Sequence, residues 1–405
     1  MKIFASVVSV ISLRSLNILA NAAVGVVLAR QLNLSDRGYV AAISSAIGIA
    51  IILISSPKGE DILKNRQKSP GGKIPMRITF HFWQFVIVAL ISISYFIFTI
   101  DLNLTFLACV LICTLIYSSS VNSLRQAFMF HKFGTFGHQL ALTLHSITYG
   151  FFLLLAFTFI DANVNVWLLA FLCADLLLFT ALWKINNNLS IDLKLNSVWE
   201  NQRKFDVAKI SFIEKISVYL AAFYLQLTII SASIFYPADL LAYFAIGISL
   251  TTLISLPLTP FLPKVMSNSK EFITEFRSLR PIKALLILIG VLFYLVGAIK
   301  AFQIFIPILY GPKYYLLVGY VPVIVLCGFM ISCISIILTL LRGLKKYLLS
   351  FIISTLGLFS FTLGVLILVS FEQGIYQTFL MLMVSNLVCL LAGILVLLSR
   401  KVVKF

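Results

Sequence analysis

ASVVSVISLRSLNILANAAVGVVLAR, residues 5–30, decides the fold. About 20 apolar residues are enough to cross the hydrocarbon core of a bilayer. Lipid offers no partner to an unpaired backbone amide or carbonyl, so the run must be a helix. The chain enters it directly from Met1-Lys2-Ile3-Phe4, with no Ala-x-Ala cleavage pattern and with Arg14 and Arg30 inside, and it reads as an uncleaved first span. Eleven more runs of crossing length follow, at 38–57, 78–100, 104–124, 138–160, 164–184, 209–234, 239–262, 284–308, 316–341, 347–370 and 375–399. Twelve spans leave a chain of 405 residues no room for a sizeable soluble domain. With 61% hydrophobic and 11% charged residues and a mean hydropathy of +1.06, it lies far from the roughly 45–50% apolar and 25% charged of soluble domains. A soluble enzyme is excluded.

The formal charge of +17 has a topological meaning. Cytoplasmic loops carry the excess of Lys and Arg. If the N-terminus is inside, the inside segments hold twenty-five basic residues, among them Lys58, Lys64, Arg66, Lys68, Lys73 and Arg77 before the third span. The outside segments hold three: Arg30, Arg37 and Lys313. Both termini are therefore expected in the cytoplasm. Nucleic-acid binding is not expected, because the basic residues are scattered through short loops and form no reading module.

The longest inside connection, about 184–208, splits the chain into six spans and six. At an offset of 203, Asp36, Ala42, Ile43, Ile51, Leu53 and Pro57 recur as Asp239, Ala245, Ile246, Ile254, Leu256 and Pro260. A two-lobed repeat follows: an N-terminal six-helix lobe over 1–190, a cytoplasmic linker over 191–208 and a C-terminal six-helix lobe over 209–405. Six spans is an even number, so the two halves share one orientation and enclose a central cleft.

An ionisable residue within the membrane needs a partner or a wet cavity, since a charge there costs about 2.5–3.5 kcal/mol on insertion scales. The first span carries Arg14, Asn17, Asn21 and Gly25 at spacings of three, four and four, on one helical face. Arg14 lies about 16 Å deep at 1.5 Å per residue from Ile3. The row either binds a polar substrate or packs as a polar seam against another helix. The seventh span repeats it with Lys215, Tyr219 and Gln226 on one face and Glu214 about 100° away. Glu214 is a candidate for ion coupling, and Lys215 is either a cleft cation or a snorkelling residue. Asp175 in the sixth span has no obvious partner in sequence; it is protonated or paired with a base from another helix. Lys300 lies about two turns below the outer surface, where snorkelling suits it. Pro257, Pro260 and Pro263 mark either a hinge or a helix end.

The six cysteines all sit in apolar runs and read as small core residues, with no disulfide, metal site or cofactor expected. His81, His131 and His138 fall near membrane surfaces, and His145 stands alone.

Three segments carry a family resemblance. Leu28-Ala29-Arg30-Gln31-Leu32-Asn33-Leu34-Ser35-Asp36-Arg37-Gly38-Tyr39 is similar to the first outside turn of the bacterial polysaccharide transporters. Phe305-Ile306-Pro307-Ile308-Leu309-Tyr310-Gly311-Pro312-Lys313-Tyr314 is similar to their turn after the ninth span, and Leu341-Arg342-Gly343-Leu344-Lys345-Lys346-Tyr347 to the inside end of their tenth. In order and composition the chain resembles this family, which includes the O-antigen repeat-unit flippases and belongs to the larger group that also holds multidrug and toxin extruders. The resemblance implies two six-helix bundles forming a V, with a cleft lined mainly by spans 1, 2, 7 and 8. Arg14, Asn17, Asn21, Lys215, Tyr219 and Gln226 would face that cleft.

The expected substrate is a polyprenyl pyrophosphate carrying a short oligosaccharide, moved from the cytoplasmic to the outer face of the bacterial inner membrane. Arg14 and Lys215 would grip the pyrophosphate, and the amides and Tyr219 would bind sugar hydroxyls. The two lobes would rock to expose the site alternately, with a proton or sodium ion coupled through Glu214 or Asp175. A drug or metabolite exporter of the same fold is the first alternative. A membrane-embedded polysaccharide polymerase is the second, although its chemistry would call for a long outside loop that this chain lacks.

Overall fold

The computed structural model describes residues 2–68, 76–81, 106–185, 189–194, 212–255, 262, 265, 269–277, 281–370 and 374–399. The chain divides into two compact units, Met1–Lys209 and Ile210–Phe405. The first contains α1 (Lys2–Gln31), α2 (Leu34–Lys68), β1 (Met76–His81), α3 (Phe106–Phe159), α4 (Val164–Ile185) and β2 (Leu189–Lys194). The second contains α5 (Phe212–Phe235), α6 (Ala238–Ser255), α7 (Ser269–Arg277) and α8 (Pro281–Tyr310), a 3-10 helix (Pro312–Tyr320), then α9 (Val321–Gly343), α10 (Tyr347–Ser370) and α11 (Ile375–Leu398). Among the described residues nine helical stretches are long and apolar enough to cross a membrane.

Helix α3 covers both the fourth and the fifth apolar run, and it cannot be straight. Asn122 and His145 both touch Asp175 of α4, yet 23 residues of straight helix would hold them about 35 Å apart at 1.5 Å per residue. Met129 and Ala141 share one core cluster with Leu178 and Leu182 of α4. The helical chain therefore turns back on itself between Met129 and Ala141, and its two arms are the two expected spans.

Helix starts follow local chemistry. The side-chain oxygen of Asn33 accepts a hydrogen bond from the Asp36 amide at 2.6 Å and that of Asn163 from the Val166 amide at 3.0 Å, capping α2 and α4. Asp36 and Asp239 place negative charge in the first turns of α2 and α6. Gly311, at φ 92°, ends α8 in a backbone conformation that a side chain would oppose. Lys345, at φ 59°, reverses the chain after α9: its own amide bonds to the Arg342 carbonyl and the Lys346 amide to the Leu341 carbonyl.

The two units repeat one packing pattern. In the first, α1 and α2 both pack on α3, and α3 packs on α4. In the second, α5 packs on α10, α6 on α9, and both α9 and α10 on α11. The arms of α3 thus take the places of α9 and α10. Ala42 and Ile43 are buried in the first unit, as Ala245 and Ile246 are in the second. The second core centres on Phe244, whose ring lies 5.9 Å from Phe361 and 5.3 Å from Phe379.

One expectation needs correction. Residues 78–81, read as the start of the third span, form part of strand β1, and residues 189–194 of the long connection form β2. The strands pair in parallel, with Met76 opposite Leu189 and His81 opposite Lys194. The reason lies in the alternation of apolar Met76, Ile78 and Phe80 with polar Arg77, Thr79 and His81, matched by Leu189, Ile191 and Leu193 with Ser190, Asp192 and Lys194. The rest of the third run, 82–100, and most of the Pro257–Pro263 stretch lie outside the described residues.

Small residues set the closest helix approaches. A methyl built on Gly328 of α9 would lie 2.8 Å from the carbonyl oxygen of Thr251 on α6, whereas one on Gly290 of α8 meets nothing within 4 Å. Gly328→Leu is expected to cost about 2 kcal/mol by forcing backbones apart and to lower the melting temperature in detergent by several degrees. Gly290→Leu, the same change in an open place, should leave it unchanged.

Candidate functional site

The polar row of α1 is held by the returning arm of α3. The Ser146 hydroxyl donates to Asn17 Oδ1 at 2.6 Å, and the Thr143 hydroxyl donates to the Leu13 carbonyl at 2.9 Å. Asn21 lies one turn further along and donates from Nδ2 to Asn17 Oδ1 at 3.1 Å and to the Asn17 carbonyl at 3.0 Å. Asn17 is half-buried, Asn21 is exposed, and a Cβ on Gly25 would meet nothing within 4 Å. Arg14, also half-buried, makes no hydrogen bond or ion pair with any described residue. The row is thus anchored at its middle, at Asn17, and carries an unpaired guanidinium one turn away.

On the other half of the predicted set the structure says less. Glu214, Lys215 and Tyr219 lie on α5, but their side chains fall outside the described residues. Gln226 is half-buried, and its Oε1 is buried without a hydrogen-bond partner among the described residues. Lys300 is exposed on α8.

Asp175 was expected to be protonated or paired with a base from another helix, and His145 to stand alone; the structure brings the two together and corrects the second expectation. Asp175 is only 1% exposed, and its Oδ2 accepts hydrogen bonds from Ser118 at 2.7 Å and from Ser119. Asn122 Nδ2 donates to Asp175 Oδ1 at 3.1 Å and to its backbone carbonyl at 2.8 Å. His145 Nε2 stands 3.2 Å from Oδ1. The partners come from both arms of α3 and the acid from α4, so no stretch of contiguous sequence contains the cluster. A signal was present in Ser118-Ser119-Ser120 and Asn122: four polar residues within five positions of an otherwise apolar helix need an internal partner in lipid.

Aromatic rings close the cluster on one side. His145 stacks on Tyr149 with centroids 6.4 Å apart and meets Phe171 at 5.9 Å, while Tyr149 accepts a 2.6 Å hydrogen bond from Trp167 Nε1. Arg125, buried one turn beyond Asn122, donates from Nη1 to the Phe179 carbonyl at 2.7 Å and lies 4.0 Å over the Phe179 ring.

In the second unit the corresponding polar network is neutral. The Tyr224 hydroxyl donates to Asn386 Oδ1 at 2.9 Å and lies 3.1 Å from the Ser385 hydroxyl, which donates to the Gly357 carbonyl at 2.6 Å. These contacts tie α5, α10 and α11 together without a charged group among them.

No protein-family model matches the chain, and no curated protein matches it by sequence. Solved structures do match. An inward-facing multidrug resistance MATE family transporter of the MOP superfamily superposes with a TM-score of 0.57 at 12% identity, covering 96% of this chain and 98% of that one. The lipid II flippase MurJ, in an inward closed conformation, superposes with a TM-score of 0.54 at 14% identity, covering 98% and 88%. The fold is that of the MOP-superfamily transporters. The described residues hold nine helical stretches long and apolar enough to cross a membrane, and the Asp175 cluster and the α1 row both belong to the first of the two units.

Asn122 bridges the carboxyl group and the carbonyl of one buried residue, so Asn122→Leu removes one hydrogen bond from each of two buried acceptors. A loss of about 1–3 kcal/mol is expected, read as a lower melting temperature of the purified protein. Asn21→Leu, on the exposed end of the α1 row, should change it little.

Proposed function

We propose that this chain is a flippase that carries a polyprenyl-pyrophosphate-linked oligosaccharide, an O-antigen or capsule repeat unit, from the cytoplasmic to the outer face of the bacterial inner membrane by alternating access, with both termini in the cytoplasm. The observation that carries this reading is Arg14: an arginine half-buried deep in a membrane helix, with no described partner, beside amides held at a fixed position. An unpaired guanidinium in hydrocarbon is costly, and an anionic ligand relieves that cost. A pyrophosphate suits it because the planar guanidinium can donate two parallel hydrogen bonds to phosphate oxygens. Asn17 and Asn21 then offer donors and acceptors to sugar hydroxyls.

Lys215, Tyr219 and Gln226 are the second half of the proposed binding set, and Gln226 contributes a buried amide oxygen with no hydrogen-bond partner among the described residues. The lipid tail stays in the membrane throughout, so only the sugars and the pyrophosphate need a polar path. Outward movement of a net anion is favoured by a potential negative inside, by about 2.3 kcal/mol per charge per 100 mV. Similarity in fold to a lipid II flippase agrees with a lipid-linked substrate.

The second reading, an ion-coupled multidrug or metabolite exporter, draws on the likeness to a multidrug transporter and on the buried acid Asp175. The positive charge on α1 favours the anionic substrate, because a cationic drug would be repelled by it.

In a strain whose surface polymer depends on this gene, Arg14→Ala should reduce exported polymer at least tenfold while lipid-linked repeat units accumulate inside, and Arg14→Lys should restore part of it. Normal polymer from Arg14→Ala at wild-type membrane abundance ends the flippase reading. Drug sensitivity on deletion, with polymer unchanged, establishes the exporter instead.

A further inference from the structure

The end of α9 and the turn after it hold three cations, Arg342, Lys345 and Lys346, with no acid among them. Arg342 is half-buried, and its Nε is buried without a hydrogen-bond partner among the described residues. Lys345 and Lys346 are exposed. Ile273 of α7 packs on Leu340, with Leu344 against the same cluster, so α7 covers one side of this end of α9. The acids of α7, Glu271 and Glu275, are exposed. None of the three cations makes an ion pair with any described residue, those two acids included.

The first unit shows that the fold does not require an unpaired arginine here. The returning arm of α3 packs on α1 as α10 packs on α5, so the first arm of α3 matches α9. Near its end stands Arg125, whose guanidinium is satisfied internally, by the Phe179 carbonyl at 2.7 Å and the Phe179 ring at 4.0 Å. Arg342 has neither kind of contact. Lys345 holds a left-handed backbone at φ 59°, a position where glycine costs less, and a lysine kept there points to a use for its side chain. Lys345 and Lys346 also precede the N-terminal amides of α10, the positive end of its dipole, where cations are unfavourable unless an anion joins them.

We propose that Arg342, Lys345, Lys346 and the start of α10 bind the phosphate of an acidic phospholipid in the leaflet that meets this end of α9. Arg342 supplies paired donors to the phosphate oxygens, and the lysines supply charge. The surroundings identify the source of the phosphate. Exposed Leu348, Ile352 and Leu356 follow at spacings of four along one face of α10, beginning two residues beyond Lys346. Acyl chains continuing from the phosphate would lie on that row, whereas a free phosphate has no use for it. The site does not depend on what the chain transports.

Native mass spectrometry of the purified full chain in detergent tests the site, with phosphatidylglycerol titrated against phosphatidylcholine of the same acyl chains. The parent is expected to bind phosphatidylglycerol about tenfold more tightly. Arg342→Gln and the double variant Lys345→Gln/Lys346→Gln should each lose that preference. Lys64→Gln/Lys68→Gln, which takes two positive charges from the end of α2, should retain it. Lys345→Gly should melt at a higher temperature than the parent without lipid, because it relieves the backbone, and still lose most of the preference; a misfolded protein cannot give that pair of results. Should Arg342→Gln not fold, the lysine variants decide. No preference in the parent, an unchanged preference in the double lysine variant, or an equal loss in the α2 control overturns the proposal. Inorganic phosphate that raises the parent's melting temperature as much as phosphatidylglycerol does overturns the lipid as the source.

Discussion

A polar group that enters hydrocarbon must carry its partner with it. For the backbone this rule imposes helices, and for side chains it decides which helices pack together and where. Asp175 shows the second effect most fully. One acid on α4 collects Ser118, Ser119 and Asn122 from one arm of α3 and His145 from the other. The folding back of α3, the docking of α4 on it and the position of the arm that grips α1 are all consistent with satisfying this carboxylate. Removing any donor leaves a buried carboxyl group short of a partner, a larger loss than the same change at the lipid-facing surface.

The second unit solves the same packing problem without charge. Tyr224, Ser385, Asn386 and the Gly357 carbonyl join α5, α10 and α11 through neutral hydrogen bonds. The two units share a packing pattern and differ in the chemistry of the polar groups that hold it together: an acid with serine, asparagine and histidine in the first, and only hydroxyls, an amide and a backbone carbonyl in the second.

The turns that carry the family resemblance prove to be conformational devices. Asn33 and Asp36 start α2, Gly311 stops α8 in the left-handed region, and Lys345 reverses the chain between α9 and α10. They sit at the ends of spans, where a helix must stop within a residue or two, and their local hydrogen bonding explains why short motifs mark them. Strands β1 and β2 were equally local in pattern, but their alternation over six residues each was submerged in the neighbouring apolar run and the charged connection.

Most of the described spans, the polar row of α1 and the turns were legible in the sequence, because hydrophobic period and length act on contiguous residues, and lipid leaves the backbone no alternative to the helix. The partner of Asp175 was not. His145 lies 30 positions away on another helix and looked solitary, and only the fold-back of α3 brings it to the carboxylate. That contact depends on where two helices cross, a property of side-chain packing summed over many residues that no single stretch of chain encodes.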